Sequence, residues 1–256
     1  MSADYLSRFA SQALIFGDMQ LVLRKINILF VAFGRENSTA ALALLAAGVE
    51  KFLVIEPQSL EPENLNSLLF CLARGSDIGK NKGLVFRRIA RRVSGAEVRC
   101  LAAGVEDPAS DAFFSEADVV VSGAGSIKAR IVTAQKAIQH QKLLIDVGIA
   151  DGREALAGSV HIWVPGNPGL ACPACLLFNT VAPTPVQALL ATTVSILASI
   201  AANMVVQYFT GRADAFLGTG RNYFAIDASS YEIHALKLVR FPDCPACGRV
   251  PCSVAS

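Results

Sequence analysis

INILFVAFGRENSTAALALLAAGVEKFLVIE, residues 26–56, reads in one pass as strand, turn, helix and strand. Ile26 to Phe33 is a continuous apolar run, the pattern of a parallel strand buried on both faces. Gly34 then opens a turn, Asn37-Ser38 is a good helix start, and the helix TAALALLAAG ends at Gly48. Lys51 to Ile55 forms the next strand and delivers the acidic Glu56 at its end, roughly twenty residues after the turn, as dinucleotide-type units require. In such units that acid meets ribose hydroxyls, while the first turn and the helix N-terminus approach phosphate. The glycine signature is incomplete, because only Gly34 stands where several glycines are expected, with Arg35, Glu36 and Asn37 beside it. The fragment alone therefore leaves nucleotide binding and an ordinary strand-to-helix turn both open.

The alternation continues downstream. Asp77-Ile78-Gly79-Lys80 reads as the cap of a basic helix reaching Val93, and Glu97 to Leu101 as a strand. Asp118 to Ser122 leads into Gly123-Ala124-Gly125-Ser126 and a helix from Ile127 to His140, and Leu143 to Val147 follows as a strand. Repeated strand and helix units favour a doubly wound, Rossmann-like parallel α/β sheet, with ligands at the strand C-terminal ends. After Asp151 the pattern changes to antiparallel strands around Gly158 to Val164, Asn222 to Asp227 and Tyr231 to Val239. Within this second half Cys172-Pro-Ala-Cys175 is repeated as Cys244-Pro-Ala-Cys247. A Cys-x-x-Cys turn brings two thiolates to one ion, and four soft sulfur ligands suit a tetrahedral zinc. With all four positions filled the metal's work is structural, clamping two distant segments.

Composition sets further bounds. At 53% hydrophobic and 17% charged residues the 256-residue chain is rich in core material and fits one large domain. The net charge of +2 points to no particular partner, and Arg87, Arg88, Arg91 and Arg92 read as one polar helix face instead of a nucleic-acid patch. MSADYLSRFASQALIFGD has no basic start followed by an apolar run and cleavage site, so a cytoplasmic setting is expected for the seven cysteines. Pro185 to Phe209 carries no charge over a length that spans a bilayer, yet Gln187, Asn203, Gln207 and many small residues favour a buried helix or a subunit seam over a membrane span. Cys71 and Cys100 have apolar neighbours and read as core thiols, and Cys252 as a spare ligand or an exposed thiol. His140, His161 and His234 are too scattered to suggest a dyad.

The order of these features resembles the ThiF/MoeB family, bacterial relatives of ubiquitin-activating enzymes. RFASQALIFG (8–17), the quoted stretch, ENLNS (63–67), DIGKNK (77–82), VVVSGAGSIKAR (119–130) and the paired CPAC turns follow one another as in that family, over almost the whole chain. The resemblance implies a single domain over 1–256: an N-terminal helical segment (1–25), a nucleotide-binding half (26–150) and a zinc- and partner-binding half (151–256). It also implies adenylation, with Mg-ATP, of the C-terminal carboxylate of a ubiquitin-like or sulfur-carrier protein or a peptide, by a dimer. Carried over residue by residue, Gly34, Glu56, Asn64 and Lys82 match nucleotide-binding positions, and Lys82 and Arg130 match catalytic ones. Ser67 and Ser11 stand where the family has arginines, and Gly125 where it has an aspartate. No cysteine lies between Cys175 and Cys244 to take a thioester, and Thr180 or Thr184 cannot replace a thiolate without strong activation. Two expectations result: a silent member that binds a partner, as half of a homodimer or of a heterodimer with an active paralogue, and a diverged active adenylyltransferase.

Overall fold

Residues of the first strand, β1 (Asn27–Val31), alternate between two cores: Ile28 and Phe30 enter one, Leu29 and Val31 the other. The same alternation runs through β2 (Lys51–Ile55) and β4 (Val119–Ser122), where Phe52, Val54, Val119 and Val121 face one way and Leu53, Ile55 and Val120 the other. Burial on both faces is why these segments read as unbroken apolar runs. The computed structural model describes residues 2–149, 156–167, 169–177 and 190–248. Its eight strands, completed by β3 (Glu97–Leu101), β5 (Leu143–Ile149), β6 (Ala157–Trp163), β7 (Tyr223–Asp227) and β8 (Glu232–Leu236), form one sheet in the order β3-β2-β1-β4-β5-β6-β7-β8. The first five are parallel and the last three antiparallel, the doubly wound sheet with an antiparallel extension that the sequence predicts.

Among the described residues, α1 (Ser2–Arg8), α2 (Ala10–Phe16) and α3 (Gln20–Leu23) precede the sheet. Tyr5 Oη docks this segment by donating to Gly48 O at 2.7 Å. One core packs α4 (Arg35–Ala47), α5 (Lys82–Val93) and α9 (Ala191–Phe209) on the sheet; the other packs α6 (Ser110–Glu116) and α7 (Ile127–Gln139) on its opposite face. The short helices α8 (Pro173–Leu177) and α10 (Asp214–Leu217) complete the set. The uncharged segment is, over its described part, α9, which is long and apolar enough to cross a bilayer by length and composition. It packs against α4 and across β5 and β6, with Ala198, Ala201 and Ala202 buried within the chain itself; residues 185–189 lie outside the described residues.

Three local expectations need correction. Helix α4 starts at Arg35 with Gly34 as its cap, two residues before Asn37. The Asn37 side chain is used elsewhere: its amide donates to Val31 O at 3.0 Å, Ala32 O at 2.6 Å and Val121 O at 3.3 Å, joining the ends of β1 and β4. The cap of α5 is Asn81, whose Oδ1 accepts from Gly83 N at 2.9 Å and Leu84 N at 3.3 Å; Asp77 instead accepts from Arg74 N and pairs with Arg88 and Lys80. Cys71 is exposed, not a core thiol, while Cys100 is partly buried and its thiol is pushed up to about 11 by burial.

Candidate functional site

Chain crossings reverse direction on either side of β1, which pairs with β2 on one edge and β4 on the other. A crevice outside the strand C-termini at such a point is where doubly wound sheets bind ligands. Here it is a cavity of about 510 Å³, and Gly34, Glu56, Asn64 and Lys82 all line it. Four positions spread over nearly fifty residues are thus brought to one place. Glu56, 2% exposed, ends β2 and reaches across to the turn after β1: Oε2 accepts from Phe33 N, and Oε1 from Gln58 N at 2.6 Å. Each oxygen keeps a second lone pair that a ribose hydroxyl can use. Lys82, at the start of α5, donates from Nζ to Gln58 Oε1 at 2.9 Å. Asn64 accepts from Glu61 N at 2.9 Å and so shapes the short turn Pro62–Asn66 at the cavity's rim.

The turn between β1 and α4 is built unusually. Ala32 has φ +59°, a left-handed conformation that costs an L residue roughly 1–2 kcal/mol and that glycine adopts freely. Phe33 follows and is fully buried, its ring stacked on Phe86 at 4.7 Å and edge-on to Phe70 at 6.0 Å. Glu36 sits in the first turn of α4 and lines the cavity. Burial is the largest influence and holds its carboxyl above the usual carboxylate range, although its own backbone N–H, Arg130 and Arg35 pull the other way. When ionised, it satisfies the positive end of the helix dipole. Arg35 turns away to the rim, donating from Nε to Asn66 Oδ1 at 2.8 Å and from a terminal nitrogen to Glu63 O at 3.2 Å. Glu36, Glu56 and Glu106 thus face two cations, Arg35 and Lys82, both already hydrogen-bonded.

The remaining predicted positions are distributed differently. Ser67 is buried and bonds to Phe70 N at 3.2 Å, away from the cavity lining. Gly125 lines the cavity, and a Cβ there would meet open space, so a larger side chain has room that this chain does not use. Arg130 is on α7, but its guanidinium turns to β5, donating to Val147 O and lying 3.6 Å from Asp146 Oδ1. For a role at this cavity, the only sequence signal of Glu36 is an acid two residues after the turn glycine.

A second constellation lies at the other end of the sheet. Cys172 and Cys175 flank the first turn of α8, and Cys244 and Cys247 sit in the turn after β8; all four sulfurs fall within 4.8 Å of one another. Cys172 Sγ is 4.0 Å from Cys175 Sγ and 3.6 Å from Cys244 Sγ. Zinc–sulfur bonds of about 2.3 Å in a tetrahedron place sulfurs about 3.8 Å apart, so the residues fit the metal. Hydrogen bonding among the four thiols pulls Cys175 down and pushes Cys172 up. The second turn is closed by Gly248 N donating to Cys244 O at 3.0 Å, and a Cβ at Gly248 would lie 2.6 Å from that oxygen. Cys252, Thr180 and Thr184 lie outside the described residues.

The sequence matches the ThiF family over residues 6–246. No curated protein matches it. Among solved structures, E. coli MccB with MccA-N7isoAsn is similar at TM-score 0.76 and 20% identity, covering 95% of this chain and 74% of that one. E. coli MccB with ATP is similar at TM-score 0.72 and 21% identity, covering 90% and 69%. PaaA is similar at TM-score 0.75 and 19% identity, covering 92% and 84%. At these identities the likeness is one of fold.

Proposed function

The chain belongs to the ThiF family, and from that premise we propose that it is a catalytically silent member whose scaffold binds a peptide or a small carrier protein. The observation that carries this reading is Glu36 in the first turn of α4, where a nucleotide-binding fold offers its helix N-terminus to phosphate. A triphosphate brought there meets a carboxylate, with no arginine at Ser67 and no acid at Gly125 to hold a magnesium ion. Adenylation builds charge at the α-phosphate that cations must stabilise, and the cavity's two cations are committed to its own walls. Binding of a partner is supported by the shared fold with MccB, which has been solved with the MccA peptide. In this reading the protein works in the cytoplasm, as a homodimer or beside an active paralogue, with zinc holding its C-terminal half.

Calorimetry with Mg-ATP and ATP–pyrophosphate exchange with candidate peptides and carrier proteins test it. No binding at millimolar ATP and no exchange are expected; exchange above background sinks the proposal. A second reading, an active adenylyltransferase, is favoured by one observation: Gly34, Glu56, Asn64 and Lys82 meet around a single cavity. In that case ATP binds and Lys82→Ala weakens it.

A further inference from the structure

A second cavity, of about 720 Å³, lies between α5 and β3, the strand at one end of the sheet. Its charged lining is Arg87, Arg88, Arg91, Arg92 and Glu97, and the rest, which includes Leu84 and Val98, has no polar side chain. The core takes Val85, Phe86, Ile89 and Ala90 from α5, which leaves all four arginines to this cavity.

Most other arginines among the described residues are held by the chain itself. Arg24 pairs with Glu50, Arg99 with Glu116 and Arg130 with Asp146, and Arg35 and Arg212 donate to Asn66 Oδ1 and Ile15 O. In this cavity only Arg88 is so held, by Asp77. Arg87, Arg91 and Arg92 are exposed, and no hydrogen bond or ion pair with a described residue engages their guanidinium groups. The helix dipole accounts for basic residues in the last turn, Arg91 and Arg92, but not for Arg87 a turn earlier. Three free guanidinium groups thus face one groove against a single acid, Glu97.

The chemistry of the groove selects its occupant. A second copy of the chain would bring the same positive charge to it. Nucleic acid calls for a broad basic surface and rings for stacking, whereas the net charge is +2 and no aromatic side chain lines the groove. An extended acidic segment meets both its charge and its dimensions. Arg87 and Arg91 are four residues apart on α5, a rise of about 6 Å. Carboxylates at alternate positions of an extended chain are about 6.6 Å apart. Leu84 and Val98 offer apolar surface to the stems of such side chains.

We propose that the groove between α5 and β3 is a docking site for an extended, acidic segment of a partner protein, with Arg87, Arg91 and Arg92 receiving carboxylates at alternate positions. It goes beyond the reading of the nucleotide cavity and rests on neither outcome there.

The test uses the full, zinc-loaded chain and fluorescently labelled heptapeptides, with anisotropy read at pH 7 in about 150 mM salt so that diffuse attraction is screened. The peptides are acetyl-TETETET-amide, its isomer acetyl-TTEEETT-amide with the same charge, and acetyl-TKTKTKT-amide; heptapeptides are too short to form helices of their own. The alternating acidic peptide is expected to bind about tenfold more tightly than the lysine peptide and several-fold more tightly than its isomer. The double variant Arg87→Gln, Arg91→Gln removes two exposed, unpaired side chains and so keeps the fold; it is expected to lose about tenfold in affinity. Glu97→Gln is expected to tighten binding. No binding of the alternating peptide, equal binding of the two acidic isomers, an affinity unchanged in the double variant, or tighter binding of oligouridylate or tripolyphosphate than of the peptide overturns the proposal. ATP exchange by the chain would remove the silent reading without altering any of these results.

Discussion

Cys175 Sγ and Cys247 Sγ lie 3.3 Å apart although 72 positions separate them in the chain. As thiols the two can share a hydrogen bond, and a zinc ion bound to both would hold them together as thiolates while taking up their negative charge.

Native mass spectrometry is expected to find about one zinc per chain. Cys172→Ser should release it and lower stability by at least about 3 kcal/mol, or about 10 °C in Tm. A zinc-free protein of unchanged Tm would show that the four sulfurs are not a clamp.

Glu36→Gln removes the charge from the first turn of α4 while keeping its shape. On the silent reading the parent chain binds no Mg-ATP, and the variant is expected to show binding measurable by calorimetry in the millimolar range. If the parent already binds ATP and Lys82→Ala weakens it about tenfold, as loss of a desolvated phosphate contact does, the active reading replaces the silent one.

Ala32→Gly tests the strained turn. Since φ is +59° there, the substitution is expected to raise stability by up to about 1 kcal/mol, seen as a rise of 2–4 °C in Tm. A fall would mean that the left-handed turn carries no strain.

Asn37→Ala leaves the carbonyls of Val31, Ala32 and Val121 without their shared donor. Denaturant unfolding is expected to show a loss of about 1–3 kcal/mol with an unchanged slope. An unaltered midpoint would mean that the amide does not hold β1 to β4.

Asp77 governs part of the acid response. Burial raises its carboxyl, but hydrogen bonds from Arg74 N and Arg88, the Arg88 charge and Lys80 outweigh this and hold it below the usual carboxylate range. A group depressed in the folded state contributes stability above its unfolded value of about 4, and the contribution is lost as pH falls through the folded value. Asp77→Asn should therefore lower stability at pH 7 and narrow its difference from the parent chain below about pH 4. A difference that stays constant from pH 7 to pH 3 contradicts the pairing.

The inner parallel strands such as Lys51–Ile55 were legible because burial on both faces leaves a continuous apolar signature, while Glu97–Leu101, an edge strand with Glu97 and Arg99 exposed, also falls where the sequence puts it. The cysteine cluster was legible from a repeated spacing. The gathering of Gly34, Glu56, Asn64 and Lys82 followed from the order of motifs and not from any one of them. Polar residues near helix starts were the weak point. Asn37 and Asp77 both look like caps, and each spends its side chain on a tertiary partner instead, which no local pattern records. Cys71 has apolar neighbours, but in a short 3₁₀ turn they have no periodicity to say which way it faces, and Leu68 and Leu72 are exposed with it. Arg130, Asp146 and His161 come from a helix and two strands, and only the cross-strand register brings them to one further cavity, beside β5, β6 and β7.

The distance along the chain between the two cysteine turns has a consequence for synthesis. At about 5–20 residues per second, the first pair waits roughly 4–14 s for the second to be made. During that interval Cys172 and Cys175 are two neighbouring thiols with no partners, able to bind a metal loosely or to oxidise to one another. A chain that takes zinc at this site would therefore need its first thiol pair kept reduced until the second is made, and would gain its clamp only late in synthesis.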